Sequence, residues 1–217
     1  MPHVVWDWNG TLIDDLEIVV GAVNASLDLF GAPRITADAY RDHYVRPVKV
    51  FYERLLEREI TDEEWLRVDS RFHEVYRSSL DQARLADGAC AAMGALQDAG
   101  HTQSVLSMWW HHELVPMVER LGVTPYMVTI QGNTADAGAP KAMHLADHLG
   151  RLDGAIAGPG RDVIMIGDSL DDGVAARENG IWCVMYDSGS HHRRELVSTG
   201  FPVADSLARA LALAGLP

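Results

Sequence analysis

The stretch DVIMIGDSLDDGVAARENGIWCVMY, residues 162–186, reads as one strand–helix–strand unit. Asp162–Ile166 is a short apolar run bounded by Gly167, the pattern of a buried strand. Asp171–Asn179 reads as a helix that Gly180 ends, and Ile181–Tyr186 as a second strand. Between the first strand and the helix, Gly167-Asp168-Ser169-Leu170-Asp171-Asp172 packs three acids into five residues.

The alternation continues outward from this unit. Before it come a helix over Ala89–Ala99 ended by Gly100, a strand over Thr102–Ser107 and a helix over Glu113–Leu121 ended by Gly122. A strand over Met127–Ile130, a loop over Gly132–Gly138 and a helix over Lys141–Leu149 ended by Gly150 follow. After it, Phe201–Ala204 suggests a short last strand and Ser206–Leu213 a final helix. At the N-terminus His3–Trp8 reads as a buried strand, and Asn9-Gly10-Thr11 as the tight turn that ends it. Strands alternating with helices predict an α/β protein with a parallel sheet covered on both faces. In such sheets ligands bind beyond the carboxyl ends of the strands.

One region departs from the alternation. Over Asp15–Phe30 the residues Leu16, Val19, Val20, Val23, Leu27 and Phe30 recur at helical spacing, until Gly31 and Pro33 stop the helix. Helices follow near Val48–Arg58 and after Thr61, where Thr61 and Glu64 form a capping-box pattern. No strand interrupts the run to Arg84. The expected organisation is a core of residues 1–14 and 85–217 carrying an all-helical insert over 15–84.

Bulk properties narrow the function. A formal net charge of −13, with Arg193-Arg194 the only basic block, argues against nucleic acid as a partner. His191-His192-Arg193-Arg194 reads as a solvated loop or helix face. No apolar run reaches the roughly 20 residues of a membrane span, and the N-terminus lacks the marks of a signal peptide. Cys90 and Cys183 form no disulfide or zinc pattern and read as two buried thiols of a cytoplasmic protein. An acidic chain can still hold a small phosphate if a divalent cation and a few local cations reverse the field at the site.

Four polar clusters fall at strand ends. Asp7 ends the first strand, where a buried carboxylate needs a partner or a metal. The turn at Gly10 leaves backbone N–H groups for an anion. Ser107 closes a second strand and can donate to a phosphoryl oxygen. Lys141, after Pro140, opens a helix and can neutralise a nucleophile and developing charge. The acids of Gly167–Asp172 would repel one another without a cation, and such oxygen crowding suits Mg²⁺. Singly, each has an ordinary explanation: a turn, a solvated lysine, an acidic helix start. Their order along the chain is the specific signal.

In that order the chain resembles the haloacid-dehalogenase-like hydrolase superfamily, over essentially its whole length. Asp7–Thr11 resembles the first motif with one departure, Ser107 the second, Lys141 the third and Gly167–Asp172 the fourth. Phe201–Leu207 resembles the tail of phosphoglycolate-phosphatase-like members, and the helical insert resembles their small cap domain. The resemblance implies a Rossmann-like core, Mg²⁺ as cofactor and a small phosphorylated metabolite as substrate. It implies Asp7 as nucleophile and metal ligand, Asp168 as metal ligand, and Asp172 on or just behind the metal. The backbone carbonyl of Asn9 would also face the ion. Ser107 and Lys141 would position the phosphoryl group, with Gly10, Thr11, Met108, Arg46 and Lys49 in contact with substrate. A monomer or a homodimer is expected.

The departure is Asn9, where the family's phosphatases carry an Asp that protonates the leaving oxygen and later activates water. Asparagine cannot exchange that proton, and such help is worth about 10²–10⁴-fold. A slow enzyme, a good leaving group or a replacement acid from the insert would follow, with His43 and His73 as candidates. Lys49 suggests a second reading, because it and Lys141 are the only lysines beside sixteen arginines. Phosphonate-cleaving members resemble this arrangement, with a cap lysine that forms a Schiff base and needs a lowered pKa, which Arg46 could supply. A third reading is a phosphate-binding module without catalysis. Halide displacement is disfavoured, because haloacid-processing members do not keep the acidic cluster. Trp109-Trp110 and His111-His112 read as a pocket wall, or as core aromatics before a helix.

Overall fold

The computed structural model describes residues 1–134, 139–155 (backbone only at 153–155) and 163–217. The expected strand start at Asp162 and the part of the expected glycine loop at 135–138 lie outside the described residues.

The strands are β1 (His3–Trp6), β2 (Ile13–Asp14), β3 (Arg84–Leu85), β4 (Thr102–Trp110), β5 (Thr129–Asn133), β6 (Val163–Gly167), β7 (Trp182–Tyr186) and β8 (Val203–Ala204). The helices are α1 (Leu16–Leu27), α2 (Ala37–His43), α3 (Val48–Leu56), α4 (Asp62–Ser79), α5 (Ala89–Asp98), α6 (His111–Arg120), α7 (Lys141–Ala155), α8 (Leu170–Glu178), α9 (Arg193–Ser198) and α10 (Leu207–Leu213). Six strands form one sheet in the order β5-β4-β1-β6-β7-β8, every pair parallel. The α/β class read from the sequence is the class observed.

The chain divides into two compact units: Met1–Asp14, Leu85–Gly189 and Arg193–Pro217 in one, Asp15–Arg84 with Ser190–His192 in the other. In the α/β unit, β1 is central and wholly buried, which is why all four of its residues are spared the polar–apolar alternation of a half-exposed strand. Val5, Leu106, Met165, Cys183 and Met185 pack with Leu145 and Leu152 of α7 and Ala175 and Ala176 of α8. Each fully buried Leu or Met there contributes roughly 1.5–3 kcal/mol. The alanines of α8 let its backbone lie close on the sheet.

The helical unit has its own core of Val20, Val23, Leu27, Tyr40, Phe51, Tyr52, Ile60 and Val68. Small residues let α1 approach α4: buried Ser26 donates from Oγ to Ala22 O at 3.1 Å and to Val68 O at 3.3 Å. The capping box forms as read, with Thr61 N–H on Glu64 Oε2 at 2.9 Å and Glu64 N–H on Thr61 Oγ1 at 3.2 Å.

Several expectations are corrected. Helix α7 runs through Gly150, because Leu149 and Leu152 are packed on the core and a helical glycine costs only about 1 kcal/mol. Gly132 and Asn133 belong to β5 rather than to a loop. Strand β4 extends beyond Ser107 to Trp110. A short strand begins at Arg84, inside the stretch read as purely helical. Cys90 is exposed, and only Cys183 is buried. His191 is buried rather than solvated, its ring 5.3 Å from that of Tyr44.

Candidate active site

The site grows from the level ends of three strands. Trp6 pairs with Val105 on one side and Ile166 on the other, so β1, β4 and β6 deliver their next residues to one edge. Asp7 N–H still donates to Ile166 O at 2.9 Å, which fixes its backbone as a continuation of the ladder. The chain then turns sharply: Trp8 O accepts from Leu12 N and Ile13 N, both at 3.0 Å, with Gly10 at φ +71°. Only glycine adopts that conformation freely.

Around this turn the acids converge. Asp7, Asp168 and Asp172 each offer a carboxylate oxygen within 4.8 Å of the others, and all three are buried. Lys141 opens α7, is 7% exposed, and pairs with both Asp7 Oδ1 and Asp172 Oδ1. Thr11 Oγ1 lies 3.2 Å from Asp7 Oδ2 and 3.3 Å from Asp168 Oδ1, linking the two motifs. Asp172 is engaged on its other oxygen by Ser169 N–H at 2.9 Å and Ser169 Oγ at 2.7 Å. Asp172 therefore orients Lys141 and the α8 turn, while Asp7 and Asp168 are better placed to present oxygens to an ion.

The electrostatics follow from burial. Desolvation pushes the Asp7 carboxyl up from 3.8 to about 6; Lys141 pulls it down and Asp172 pushes it further up. Burial also works against the charge on Lys141, but the Asp172 and Asp7 carboxylates outweigh it and hold the ammonium above its usual range. Among the described residues, Lys141 pairs with two of three clustered carboxylates, an excess of negative charge in a dry place. The donors are all carboxylate oxygens, which fits the hard, oxygen-seeking Mg²⁺.

Ser107 sits in an irregularity of β4. Leu106 pairs with Gln131 but Trp110 with Asn133, so three residues face Gly132 alone. Such a bulge re-aims a side chain at a sheet's functional edge. A Cβ on Gly132 would stand 2.6 Å from Trp109 O, so glycine is what lets the bulge close. Ser107 Oγ accepts from Trp109 N–H at 3.0 Å and reaches Asn9 Oδ1 at 3.4 Å. Met108 follows in the same bulge.

Arg46 and Lys49 belong to the helical unit. Lys49 Nζ donates to Asp62 Oδ1 at 2.8 Å, and that bond raises its pKa. A Schiff-base lysine needs the opposite shift. His73 is also held in its own helix, with Nδ1 at 2.8 Å from Asp69 O. His43 is exposed at the end of α2.

The sequence reading passed over Ser188 and Gly189, which follow β7. Ser188 Oγ donates to Gly10 O, and Gly189 lies against Asp168. The available signal was a polar, glycine-bearing turn at one more strand end, of the same kind as Asn9-Gly10-Thr11.

A parallel sheet with acids gathered at its strand ends defines a class of α/β hydrolase, and comparison with known proteins names it. The model of the haloacid dehalogenase-like hydrolase family matches residues 4–186. A phosphoglycolate phosphatase of Agrobacterium fabrum is 30% identical over 181 residues, 81% of this chain and 76% of its own. The fold resembles a haloacid dehalogenase-like hydrolase from Streptococcus pneumoniae with TM-score 0.82 at 18% identity, covering 97% of this chain and 96% of that one. It resembles Protein Tyrosine Kinase A of Mycobacterium tuberculosis nearly as well, with TM-score 0.81 at 19% identity, covering 99% and 98%. The chain belongs to the haloacid dehalogenase-like hydrolase family. Its relatives place it in the phosphoglycolate-phosphatase-like branch. Among the described residues, no helix is long and apolar enough to cross a membrane.

Proposed function

We propose that this chain is a magnesium-dependent phosphomonoester hydrolase of a small cytoplasmic metabolite, with Asp7 as nucleophile. The observation that carries the reading is the buried convergence of Asp7, Asp168 and Asp172 on one another, with Lys141 paired to Asp7 and Asp172. Asp7 and Asp168, with the carbonyl of Asn9, would hold Mg²⁺. The ion would supply charge neutralisation for the phosphoryl oxygens and keep Asp7 ionised.

An Asp7 carboxylate oxygen attacks phosphorus in line, the P–O bond to the substrate breaks, and the leaving oxygen takes a proton from water. Lys141 and Ser107 hold the phosphoryl oxygens as charge develops. Water then attacks phosphorus, phosphate leaves and Asp7 is restored. Asn9 can orient these groups by hydrogen bonds but cannot carry the proton, so both half-reactions run slowly. The helical unit, inserted between Asp14 and Leu85, would serve as the cap that selects the substrate. Phosphoglycolate is the first substrate to test, because curated relatives carry that activity in their names.

The test is a phosphatase screen over phosphorylated metabolites with and without Mg²⁺, using Asp7→Asn as control. Loss of turnover by about 10⁴-fold or more is expected on removing the nucleophile. Undiminished turnover in Asp7→Asn would refute the assignment.

A further inference from the structure

The turn after β7 closes on Asp168. A Cβ built on Gly189 would stand 1.8 Å from Asp168 Oδ2, 2.4 Å from its Cγ and 2.9 Å from its Cβ. The overlap runs down the whole short side chain, so shifting the carboxylate tip does not relieve it. Gly189 is absent from the glycines with positive φ. Space alone therefore excludes a side chain there, not backbone conformation.

The β1 turn contacts the same carboxylate. A Cβ on Gly10 would lie 2.7 Å from Asp168 Oδ2 and 2.8 Å from its Cγ. Asp168 is thus lodged against two backbone segments that carry no side chain. Ser188 Oγ ties those segments together by donating to Gly10 O. Thr11 Oγ1, 3.3 Å from Asp168 Oδ1, steadies the other oxygen.

We propose that Ser188 and Gly189 are positioning residues that hold the Asp168 carboxylate in the orientation in which it binds the divalent ion. This rests on the magnesium-hydrolase reading and adds a fifth chain segment to that site. Mg²⁺ demands near-ideal octahedral geometry and tolerates little displacement of a ligand. Groups that only orient a ligand change metal affinity by about 10–100-fold. A methyl at position 189 forces Asp168 to rotate or the turn to withdraw, and either moves an oxygen off the ion. Losing the Ser188 hydroxyl loosens the same brace without adding bulk.

The test is calorimetric Mg²⁺ titration of the full chain as wild type, Gly189→Ala, Ser188→Ala, Ser188→Thr and Gly94→Ala. Thermal melts without metal and Mg²⁺-dependence of hydrolysis accompany it. Gly94 in α5 has open space around its Cα and serves as the control. Gly189→Ala is expected to weaken Mg²⁺ about 10–100-fold and to regain turnover at saturating Mg²⁺. Ser188→Ala shifts affinity less, Ser188→Thr restores it, and Gly94→Ala matches wild type. Wild-type Mg²⁺ affinity in both Gly189→Ala and Ser188→Ala would overturn the brace while leaving the hydrolase reading intact. A wild type that neither binds Mg²⁺ nor hydrolyses phosphomonoesters would sink the hydrolase reading, and the brace with it. If Gly189→Ala does not fold, the contrast between Ser188→Ala and Ser188→Thr decides.

Discussion

Two buried polar clusters of the α/β unit are built on opposite principles. One is the acid cluster at the strand ends, three carboxylates against one ammonium. The other runs beneath α7 through His3 of β1, Thr102 and Ser104 of β4, Gln131 of β5 and His148 of α7. In the second, hydrogen bonds link each side chain to the next. Gln131 Nε2 donates to Asp147 Oδ2 at 2.9 Å, so its Oε1 must accept, at 2.9 Å, from His148 Nδ1–H. His148 Nε2 then accepts from Ser104 Oγ–H at 2.7 Å. Ser104, its proton spent, accepts from His3 Nε2–H at 2.8 Å, and His3 Nδ1 lies 2.9 Å from Thr102 Oγ1. The chain of protons fixes neutral His148 as its Nδ1–H tautomer and places a proton on His3 Nε2. A Ser–His pair is present, but Ser104 and His148 are both 0% exposed, so no substrate reaches them. A hydrogen-bonded network of neutral groups is architecture; a buried cluster with excess carboxylate charge is where a cation would be stabilised.

The largest gain should come from restoring the proton the first cluster lacks. Asn9→Asp is expected to raise turnover by about 10²–10⁴-fold, read by steady-state kinetics on the best substrate. In the wild type, acid quench should trap phosphate on Asp7. If Asn9→Asp leaves the rate unchanged, some other group carries the proton and Asn9 is not what limits turnover.

Removing Lys141, the cation paired with the cluster, tests the charge excess directly. Lys141→Met leaves Asp7 and Asp172 buried without their partner, and breaking such a pair costs about 3–5 kcal/mol. Urea unfolding without metal should show that loss, and Mg²⁺ should recover part of it. Full stability in the metal-free variant would mean that the carboxylates are protonated or better solvated than their burial implies.

The closed network should respond to acid instead. Burial, then Arg151, lower the His148 pKa from 6.5 to about 4, against a smaller opposing effect of Asp147. The unfolded chain therefore binds more protons than the folded one below pH 6.5. Stability from this group is complete above pH 6.5 and is lost as pH falls toward 4, by about 3 kcal/mol. His148→Gln cannot titrate, so wild type should lose that much more than the variant between pH 7 and 4, in denaturant melts. Asp7 has the reverse sign: with its pKa raised from 3.8 to about 6, the metal-free fold has its full contribution below pH 3.8 and loses it as pH rises toward 6. Parallel curves would mean that His148 is charged in the fold.

These clusters also mark what the sequence could and could not disclose. The α/β alternation was legible, because apolar runs and helix-ending glycines at positions 100, 122 and 180 report local preferences. The acids at Asp7 and Asp168–Asp172 were conspicuous because so many carboxylates rarely crowd strand-to-helix turns without a reason. Gly189 was not legible: its meaning is a distance to Asp168, some twenty residues away, and nothing local demands glycine there. The bulge at Ser107 depends likewise on Gly132 of the next strand. His191 looked solvated because its neighbours are polar, yet its ring packs on Tyr44. Helix α7 passed Gly150 because tertiary packing outweighed a local penalty. What failed to show in the sequence was each time a contact between distant segments.

The smallest effect is expected at the other lysine, and it sharpens the contrast with Lys141. Both lysines meet carboxylates, but Lys141 is 5% exposed at its side chain and Lys49 is 31% exposed, facing Asp62 at 97%. Charge neutralisation in a dry site is strong, whereas water screens the second pair. The Asp62 bond also raises the Lys49 pKa, so its amine stays protonated and is a poor nucleophile toward a carbonyl. Lys49→Ala is therefore expected to keep wild-type turnover on the best phosphomonoester. Borohydride should trap no adduct when an aldehyde-bearing phosphonate is offered to the wild type. An adduct mapping to Lys49 by mass spectrometry, with phosphonate turnover lost in Lys49→Ala, would show that the ion pair with Asp62 opens to free the amine. The second cationic side chain would then share the chemistry with the first.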